Sequence, residues 1–541
     1  MELAASRKSV VRDLSVAAVL LVTVIWTQWR LNAYAAEFLV DEPYHLVSGL
    51  FVHDYLVRAL GQNPLAYLRN YHGHYPLVGI GHWGPVFYGV EAVWLLLMPA
   101  AKWSLLLLAA CCAATLAWAI YRFAARRIGL SGALFAAFGF VLCAIVQTTN
   151  SELLLDMPVA LVCFAAMLAY ERYLVTLSAG WSVVFGLVAA FGMLIKGNAM
   201  ALALMPPLRI LLGGQYRVML RWSFWLPVPI VLILAGPWYV MTIGLVTPGF
   251  RFEPGFDFVW TAMRANGGFL LVSLGSPVLL ALMPGLTVLR RARLEGPLAL
   301  SLAVAAFQLA VPAAIQERYL IVLLPSLLIL AGAGGTVLCD GVARRLKGVP
   351  VWPLAPVLFA VLLAIVAVRG ADALVKPVLH LGAAADQIRA ALPPGNPVVL
   401  VATDISVENG MIAELALRDP RRPSVFAVRG SRLLGAGGFN TDEYEPRWRT
   451  PQEVMAALDD YAIPLVLFRR HIADHRRGLV QRDLGHIRQL AAAMTMFPER
   501  WELIYRDDGT DPEILVFRVR GNFGRPIDVA KLLAVTAPKG L

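Results

Sequence analysis

Residues 83–100 read WGPVFYGVEAVWLLLMPA, and whether this stretch crosses a membrane decides the topology of everything after it. It is apolar enough to cross, but it is short, bounded by Pro85 and Pro99, and carries Glu91. A spanning helix needs roughly 20 apolar residues. Eleven other segments approach that: 14–32, 102–121, 130–148, 157–175, 180–195, 198–213, 222–242, 268–289, 297–315, 319–338 and 350–368. Charge arbitrates. If 83–100 stays out of the count, the clusters Arg122/Arg126/Arg127, Arg209/Arg217/Arg221, Arg290/Arg291/Arg293 and Arg344/Arg345/Lys347 share a side with Arg7, Lys8 and Arg12. That side then holds 16 Lys and Arg against 5 acids, and the other holds 8 against 10. If it crosses, every later loop changes side. The positive-inside rule selects the first arrangement. Residues 83–100 are therefore expected to lie as a helix in the outer interface. Eleven spans follow, with a cytoplasmic N-terminus and a C-terminal domain outside. The first span has no small-residue cleavage site and reads as an uncleaved anchor.

Composition agrees with a polytopic membrane protein. Of 541 residues, 59% are hydrophobic and 15% charged, and the mean hydropathy is +0.66. This excludes a disordered chain, a fibrous chain and a single soluble domain. Residues 1–368 carry 39 charged side chains, and the remaining 173 residues carry 44. The boundary divides a transmembrane domain, 1–368, with a first outer loop over 33–101, from a soluble α/β domain, 369–541. The net charge of +11 sits mostly in the first part, so nucleic acid is not an expected partner. The five cysteines all lie in or beside apolar runs, which leaves no disulfide framework. In the tail, strands are expected over 398–401, 424–428, 464–468, 501–506 and 514–519. Helices are expected over 407–418, 451–460 and 484–496, giving a small, mostly parallel sheet. Asp507-Asp508-Gly509 reads as a hairpin turn.

The outer side collects ionisable groups at the ends of apolar segments, where they are costly and often functional. Asp41 and Glu42, in FLVDEPYHLVSGLFVHDYL (38–56), precede an amphipathic pattern that starts at Pro43. A helix N-terminus favours carboxylates, and simple capping is the competing reading. Asp156 opens the fourth span and could likewise cap it. Lys196, in MLIKGNAM, and Arg318, in QERYLIVLLP, stand where a lipid phosphate could meet them, or could simply snorkel. Arg264 is a further candidate. His45, His53, His72, His74 and His82 fall close together in sequence, but no pair has a strong metal-ligand spacing.

The order of these features resembles the GT-C glycosyltransferases, and most closely the protein mannosyltransferase and lipid A aminoarabinose transferase branch. The likeness covers roughly residues 10–340. Asp41 of DEPYH matches the family's first-loop catalytic acid, and Glu42 its acidic neighbour. His82–Tyr88 (HWGPVFY) looks like the Pro-containing motif ahead of the interfacial helix. Asp156 matches the acid of the second outer loop, Lys196-Gly197 the Lys-Gly turn, and Arg318-Tyr319-Leu320 the late basic-Tyr-Leu segment. The sequence departs at His82-Trp83-Gly84-Pro85, where a basic residue and Pro-Pro are usual, and at Asn150-Ser151-Glu152, where an arginine is frequent.

The resemblance implies a polyprenyl-phosphate sugar as donor and a cell-envelope lipid, glycan or protein as acceptor. Asp41 would take the proton of the acceptor hydroxyl. Asp156 and Glu42 would assist, and Lys196, Arg318 and Arg264 would hold the donor phosphate. His82 and Tyr44 would be loop or substrate contacts. Asp41 and Asp156 could also share a divalent cation, Mg²⁺ or Mn²⁺. The Ala/Leu/Arg-rich composition suits a bacterial inner membrane with the C-terminal domain in the periplasm. Two other classes compete: a lipid or sugar flippase, which favours mid-membrane charges and paired halves, and a membrane scaffold.

Overall fold

The computed structural model describes residues 2–247, 250, 252–345, 354–436, 445–469, 485–507, 509 and 513–536. Asp508 of the expected hairpin turn lies outside them. In chain order the first helices are α1 (Glu2–Arg30), α2 (Glu42–Arg58), α3 (Pro64–His74), α4 (Val86–Leu97) and α5 (Lys102–Ala125). Then come α6 (Gly129–Leu142), α7 (Ala144–Asn150), α8 (Asp156–Thr176), α9 (Ala179–Ile195) and, after a 3₁₀ turn over Gly197–Ala203, α10 (Met205–Gly213). The bundle continues with α11 (Trp222–Trp225), α12 (Pro227–Leu234), α13 (Gly236–Val246), α14 (Phe256–Leu274), α15 (Ser276–Leu280) and α16 (Leu282–Thr287). It ends with α17 (Glu295–Ala310), a 3₁₀ turn over Glu317–Val322, α18 (Leu324–Arg345) and α19 (Leu354–Ala371).

The chain forms two compact units: residues 1–33, 81–87 and 103–375, and residues 34–80, 88–102 and 376–541. The first unit is helical and turns its apolar side chains outward. Val240, Met241 and Val368 are 79%, 76% and 68% exposed, which suits hydrocarbon and not water. Inside, small residues let backbones touch, as bilayer packing requires. A Cβ on Gly334 would overlap the Ala281 carbonyl, and one on Gly285 would overlap that of Leu330, so α16 lies directly against α18.

Among the described residues, five helices are long and apolar enough to cross a membrane: the Val10–Arg30 part of α1, α5, α8, α18 and α19. Three bent pairs bring the number to eight: α6 with α7, the run Trp222–Leu234 with α13, and α14 with the run Ser276–Thr287. The expected spans 180–195, 198–213 and 297–315 are present as shorter apolar helices. The expected span 268–289 is not straight. Its chain turns by 108° at Gly275, whose φ of 81° glycine tolerates without strain. The 12-residue α4 is about 18 Å long, well short of the roughly 30 Å hydrocarbon core, so it does not cross alone.

The second unit is an α/β layer. Beyond the bundle the elements are α20 (Leu381–Ala391), β1 (Val398–Ala402), α21 (Ile405–Arg418), β2 (Phe426–Arg429), α22 (Gly430–Leu433), β3 (Gly435–Ala436) and β4 (Glu445–Pro446). They end with α23 (Pro451–Asp460), β5 (Leu465–Arg469), α24 (Gly485–Met496), β6 (Trp501–Asp507), β7 (Ile514–Val519) and α25 (Val529–Thr536). The five-stranded sheet runs β2-β1-β5-β7-β6. Only β2, β1 and β5 are parallel; β7 pairs antiparallel with both β5 and β6, so the sheet is mixed and not mostly parallel. Every residue of β1 is buried, as expected of a parallel strand covered on both faces. α23 starts on a capping box, Thr450 with Glu453, which satisfies two otherwise orphaned N–H groups.

This unit is larger than a C-terminal domain alone, because residues 34–80 and 88–102, between α1 and α5, are built into it. Glu37 accepts the N–H groups of Leu379 and Leu381 at 2.8 and 3.1 Å. Tyr75 donates to Asp419 at 2.6 Å. Arg422 donates from Nε to Asp54 at 2.8 Å, with Asp54 fully buried. Glu91, on the α4 face toward Gly49 of α2, has no solvent exposure, and among the described residues neither of its oxygens has a hydrogen-bond partner. Burial pushes its carboxyl well above the usual range.

Candidate active site

In the helical unit, sequence-distant candidates converge at the opening of α8. Asp156 is the first residue of that helix; Leu155 is the N-cap. The Asp156 carboxylate makes no cap hydrogen bond and is almost fully buried. Its Oδ1 accepts from Lys196 Nζ at 2.7 Å, and Arg318 Nε stands 4.0 Å from Oδ2. Lys196 ends α9 in an extended conformation, φ −153° and ψ 139°, which turns its side chain out of the helical path. Its ammonium lies 4.6 Å from the centre of the Tyr319 ring, and the Arg318 guanidinium carbon lies 5.8 Å from the same ring. Tyr319 is anchored in turn: its carbonyl accepts from Gln308 Nε2 at 2.7 Å, and Gln308 Oε1 accepts from Asn266 at 3.3 Å.

The HWGP segment belongs to the same end of α9. A Cβ on Gly84 would overlap the carbonyl of Leu194, two residues before Lys196, so only glycine fits there. This gives the departure from Pro-Pro at that position a packing reason. His82 stands edge-on to Trp83 with ring centres 4.5 Å apart, and its Nδ1 is 3.4 Å from the Leu245 carbonyl. Arg264 is exposed on α14 and makes no ion pair among the described residues. Arg30, at the end of α1, donates to Gln147 Oε1 at 2.7 Å and to the Gly370 carbonyl at 2.8 Å, tying three chain segments together.

The second unit separates the Asp41–Glu42 pair. Glu42 is buried, and its two oxygens accept from Lys376 Nζ at 3.0 and 2.8 Å; Oε2 also accepts the Leu39 N–H at 3.1 Å. This ion pair fastens the start of α2 to the chain at Lys376. Asp41, one residue earlier, is half-buried and makes no cap hydrogen bond with its side chain. It follows Val40, whose φ of 59° lies in the left-handed region. A β-branched residue there stores about 1–3 kcal/mol of strain, a feature that gathers at functional sites. One helical turn on, His45 Nδ1 is 2.9 Å from the Tyr88 hydroxyl. Tyr44 is a contact of another kind: its hydroxyl accepts from Arg429 at 3.2 Å, and Arg429 Nε donates to Glu408 at 2.8 Å.

Three of the first-loop histidines have protein partners. His53 is bonded to Asp54, His74 to the Asn70 carbonyl and His45 to Tyr88. Among the described residues no three His, Cys, Asp or Glu side chains gather around one point. Asp156, already faced by the cations of Lys196 and Arg318, does not suit a ligand of Mg²⁺ or Mn²⁺. Lys376 had no sequence signal at all, since its partner is 334 residues away.

The fold defines a class, a polytopic helical membrane protein that carries an α/β unit. Particular structures share it. ArnT from Cupriavidus metallidurans bound to undecaprenyl phosphate superposes with a TM-score of 0.53 at 15% identity, over 96% of this chain and 99% of that one. Its apo state gives 0.55 at 15% identity, over 96% and 100%. The Archaeoglobus fulgidus oligosaccharyltransferase in complex with Zn and sulfate gives 0.54 at 13% identity, over 84% of this chain and 68% of that one. At such identities the likeness is one of fold. No family model and no curated protein matches the sequence.

Proposed function

We propose that this chain is a membrane glycosyltransferase that moves a sugar from a polyprenyl-phosphate donor to a hydroxyl of a cell-envelope lipid, glycan or protein. The observation that carries this reading is the Asp156–Lys196–Arg318–Tyr319 constellation within a GT-C fold. Lys196 uses one of its three N–H donors on Asp156 and is partly accessible, as is Arg318. Both suit a phosphate oxygen. Asp156 holds the ammonium in place, and Tyr319 gives it an aromatic floor. Arg264 and His82 are secondary donor contacts.

Asp41 is the base of the reaction. The acceptor oxygen attacks the anomeric carbon as the bond from that carbon to the phosphate oxygen breaks. The hydroxyl proton passes to the Asp41 carboxylate, and polyprenyl phosphate leaves as the anion. One displacement inverts the anomeric centre. Asp41 suits the task because its side chain is half-buried at the start of α2 and keeps access to solvent. The reaction is placed on the outer face of a bacterial inner membrane, as the distribution of arginines supports.

The test is sugar transfer from a radiolabelled panel of polyprenyl-phosphate hexoses and pentoses by purified protein in lipid, with a membrane extract as acceptor. Transfer of one sugar by the wild type, lost in Asp41→Asn, is expected. Full turnover by a folded Asp41→Asn protein would remove the base, and no transfer from any donor would remove the reading.

A further inference from the structure

Three arginine clusters serve in the sequence only to orient the helices, yet the fold brings them to one place. At the far end of α8 the helical unit holds a cavity of about 1130 Å³. Glu171 lines it and lies 15 residues after Asp156 on α8, about 22 Å along the helix axis. This is therefore a different site from the candidate active site. Its polar wall draws on the end of α5, the end of α8, α10 and the segment before α17.

The charges in that wall do not cancel. Glu171 and Glu295 both face Arg209, which donates to Glu171 and lies 4.0 Å from Glu295. Arg122 is paired with Asp13. Arg126, Arg127, Arg172, Arg290 and Arg293 line the same cavity and make no ion pair among the described residues. Arg127 lies 3.7 Å over the Phe123 ring and its Nε is buried without a hydrogen-bond partner; Glu171 and Glu295 attract it, while Arg126 and Arg293 are close enough to repel it. Topology signals alone need no such convergence, since the positive-inside rule is satisfied by arginines spread over separate loops.

The other wall is apolar. Trp118, Leu168, Trp181, Val184 and Val188 line it, and Trp181 and Val184 are also exposed on the bundle's surface. A cationic floor beside an apolar wall that opens on the lipid-facing surface fits an amphiphile with a phosphate head. A soluble phosphate would use only half of it. We propose that this cavity binds the phosphate headgroup of an anionic membrane lipid, with its chain along Trp181, Val184 and Val188.

The test is native mass spectrometry of the full-length protein, titrated with phosphatidylglycerol and with phosphatidylcholine of the same chains. Wild type is expected to hold phosphatidylglycerol at least tenfold more tightly. The combined Arg126→Gln, Arg127→Gln, Arg293→Gln variant is expected to lose that preference. The exposed pair Arg344→Gln, Arg345→Gln, which does not line the cavity, is expected to keep it. Val188→Trp leaves every arginine in place and fills the apolar wall; at least a tenfold weakening is expected there too, which keeps the test open if the triple variant does not fold. An unchanged preference in the cavity variants, or an equal loss in the Arg344/Arg345 variant, would overturn the site. Displacement of the lipid by millimolar inorganic phosphate would overturn the lipid assignment in favour of a small-anion site.

Discussion

Two lysine–carboxylate pairs, one in each unit, look alike in sequence and differ in setting. Lys376 and Glu42 are both closed off, with side-chain exposures of 3% and 2%, and Glu42 has its remaining need met by the Leu39 N–H. Lys196 with Asp156 is buried on the carboxylate side only: the lysine is 11% exposed, and a second cation, Arg318 at 19%, stands beside it. The first pair is a fastening. The second has the accessibility an anionic ligand would need. The contrast shows why a buried acid next to a candidate base should be judged by its partners and not by its neighbours in sequence. Asp41 and Glu42 are adjacent, yet Glu42 is closed off against Lys376 whereas Asp41 is half-buried.

The largest expected effect separates those two acids. Asp41→Asn should lower sugar transfer by about 10²–10⁴-fold, the usual range for a lost general base, with little change in the unfolding midpoint. Glu42→Gln should do the reverse, loosening the fold first. Next comes the contrast between lysines. Lys376→Ala leaves a buried carboxylate alone and should destabilise the protein by about 3–5 kcal/mol, read by denaturant unfolding. Lys196→Gln should instead raise the donor KM by at least tenfold. If Lys376→Ala proved harmless to stability, the division into fastening and site would fall.

A smaller effect should follow pH. His486 is buried on α24, and burial holds its imidazole down at about 3, against 6.5 for the free side chain. Between those values the unfolded chain binds the proton and the folded chain does not. Stability should therefore fall as pH drops from about 6.5 toward 3, by up to about 4 kcal/mol from this residue. Urea unfolding of His486→Leu should show a flatter pH profile. Asp419 works at the acid end of the same scale. Burial would raise its carboxyl, but hydrogen bonds from Tyr75, Ser424 and the Arg421 and Ser424 backbone hold it below the usual 3.8. Its contribution is present above that value and is lost as pH falls below it. The smallest effect belongs to the α23 cap: Thr450→Ala should cost about 1 kcal/mol, read by the same unfolding assay, and leave transfer unchanged.

Much of the architecture was legible from local pattern. The expected tail strands and helices recur with shifts of one or two residues, because period, turn residues and the Thr450–Glu453 cap are all local signals. The brevity of α4 could be read from Pro85 and Pro99. The bend at Gly275 could not, since a glycine within an apolar run does not announce a 108° turn. The β7 pairings could not be read either, because strand direction depends on which edge the chain returns to.

For the candidate site, sequence supplied the residue types and their order: Asp41, Asp156, Lys196, Arg318. It left open whether Asp156 merely capped its helix, because a capping acid and a functional acid stand at the same position. In the fold Asp156 makes no cap hydrogen bond and accepts from Lys196 at 2.7 Å. The role of Lys376 and the joining of residues 34–80 to the C-terminal unit were likewise decided only in three dimensions. The physical reason is common to all of these. Composition and periodicity act over a few residues, whereas a buried charge must find its counter-charge wherever the chain returns, here 40 residues away for Asp156 and 334 for Glu42.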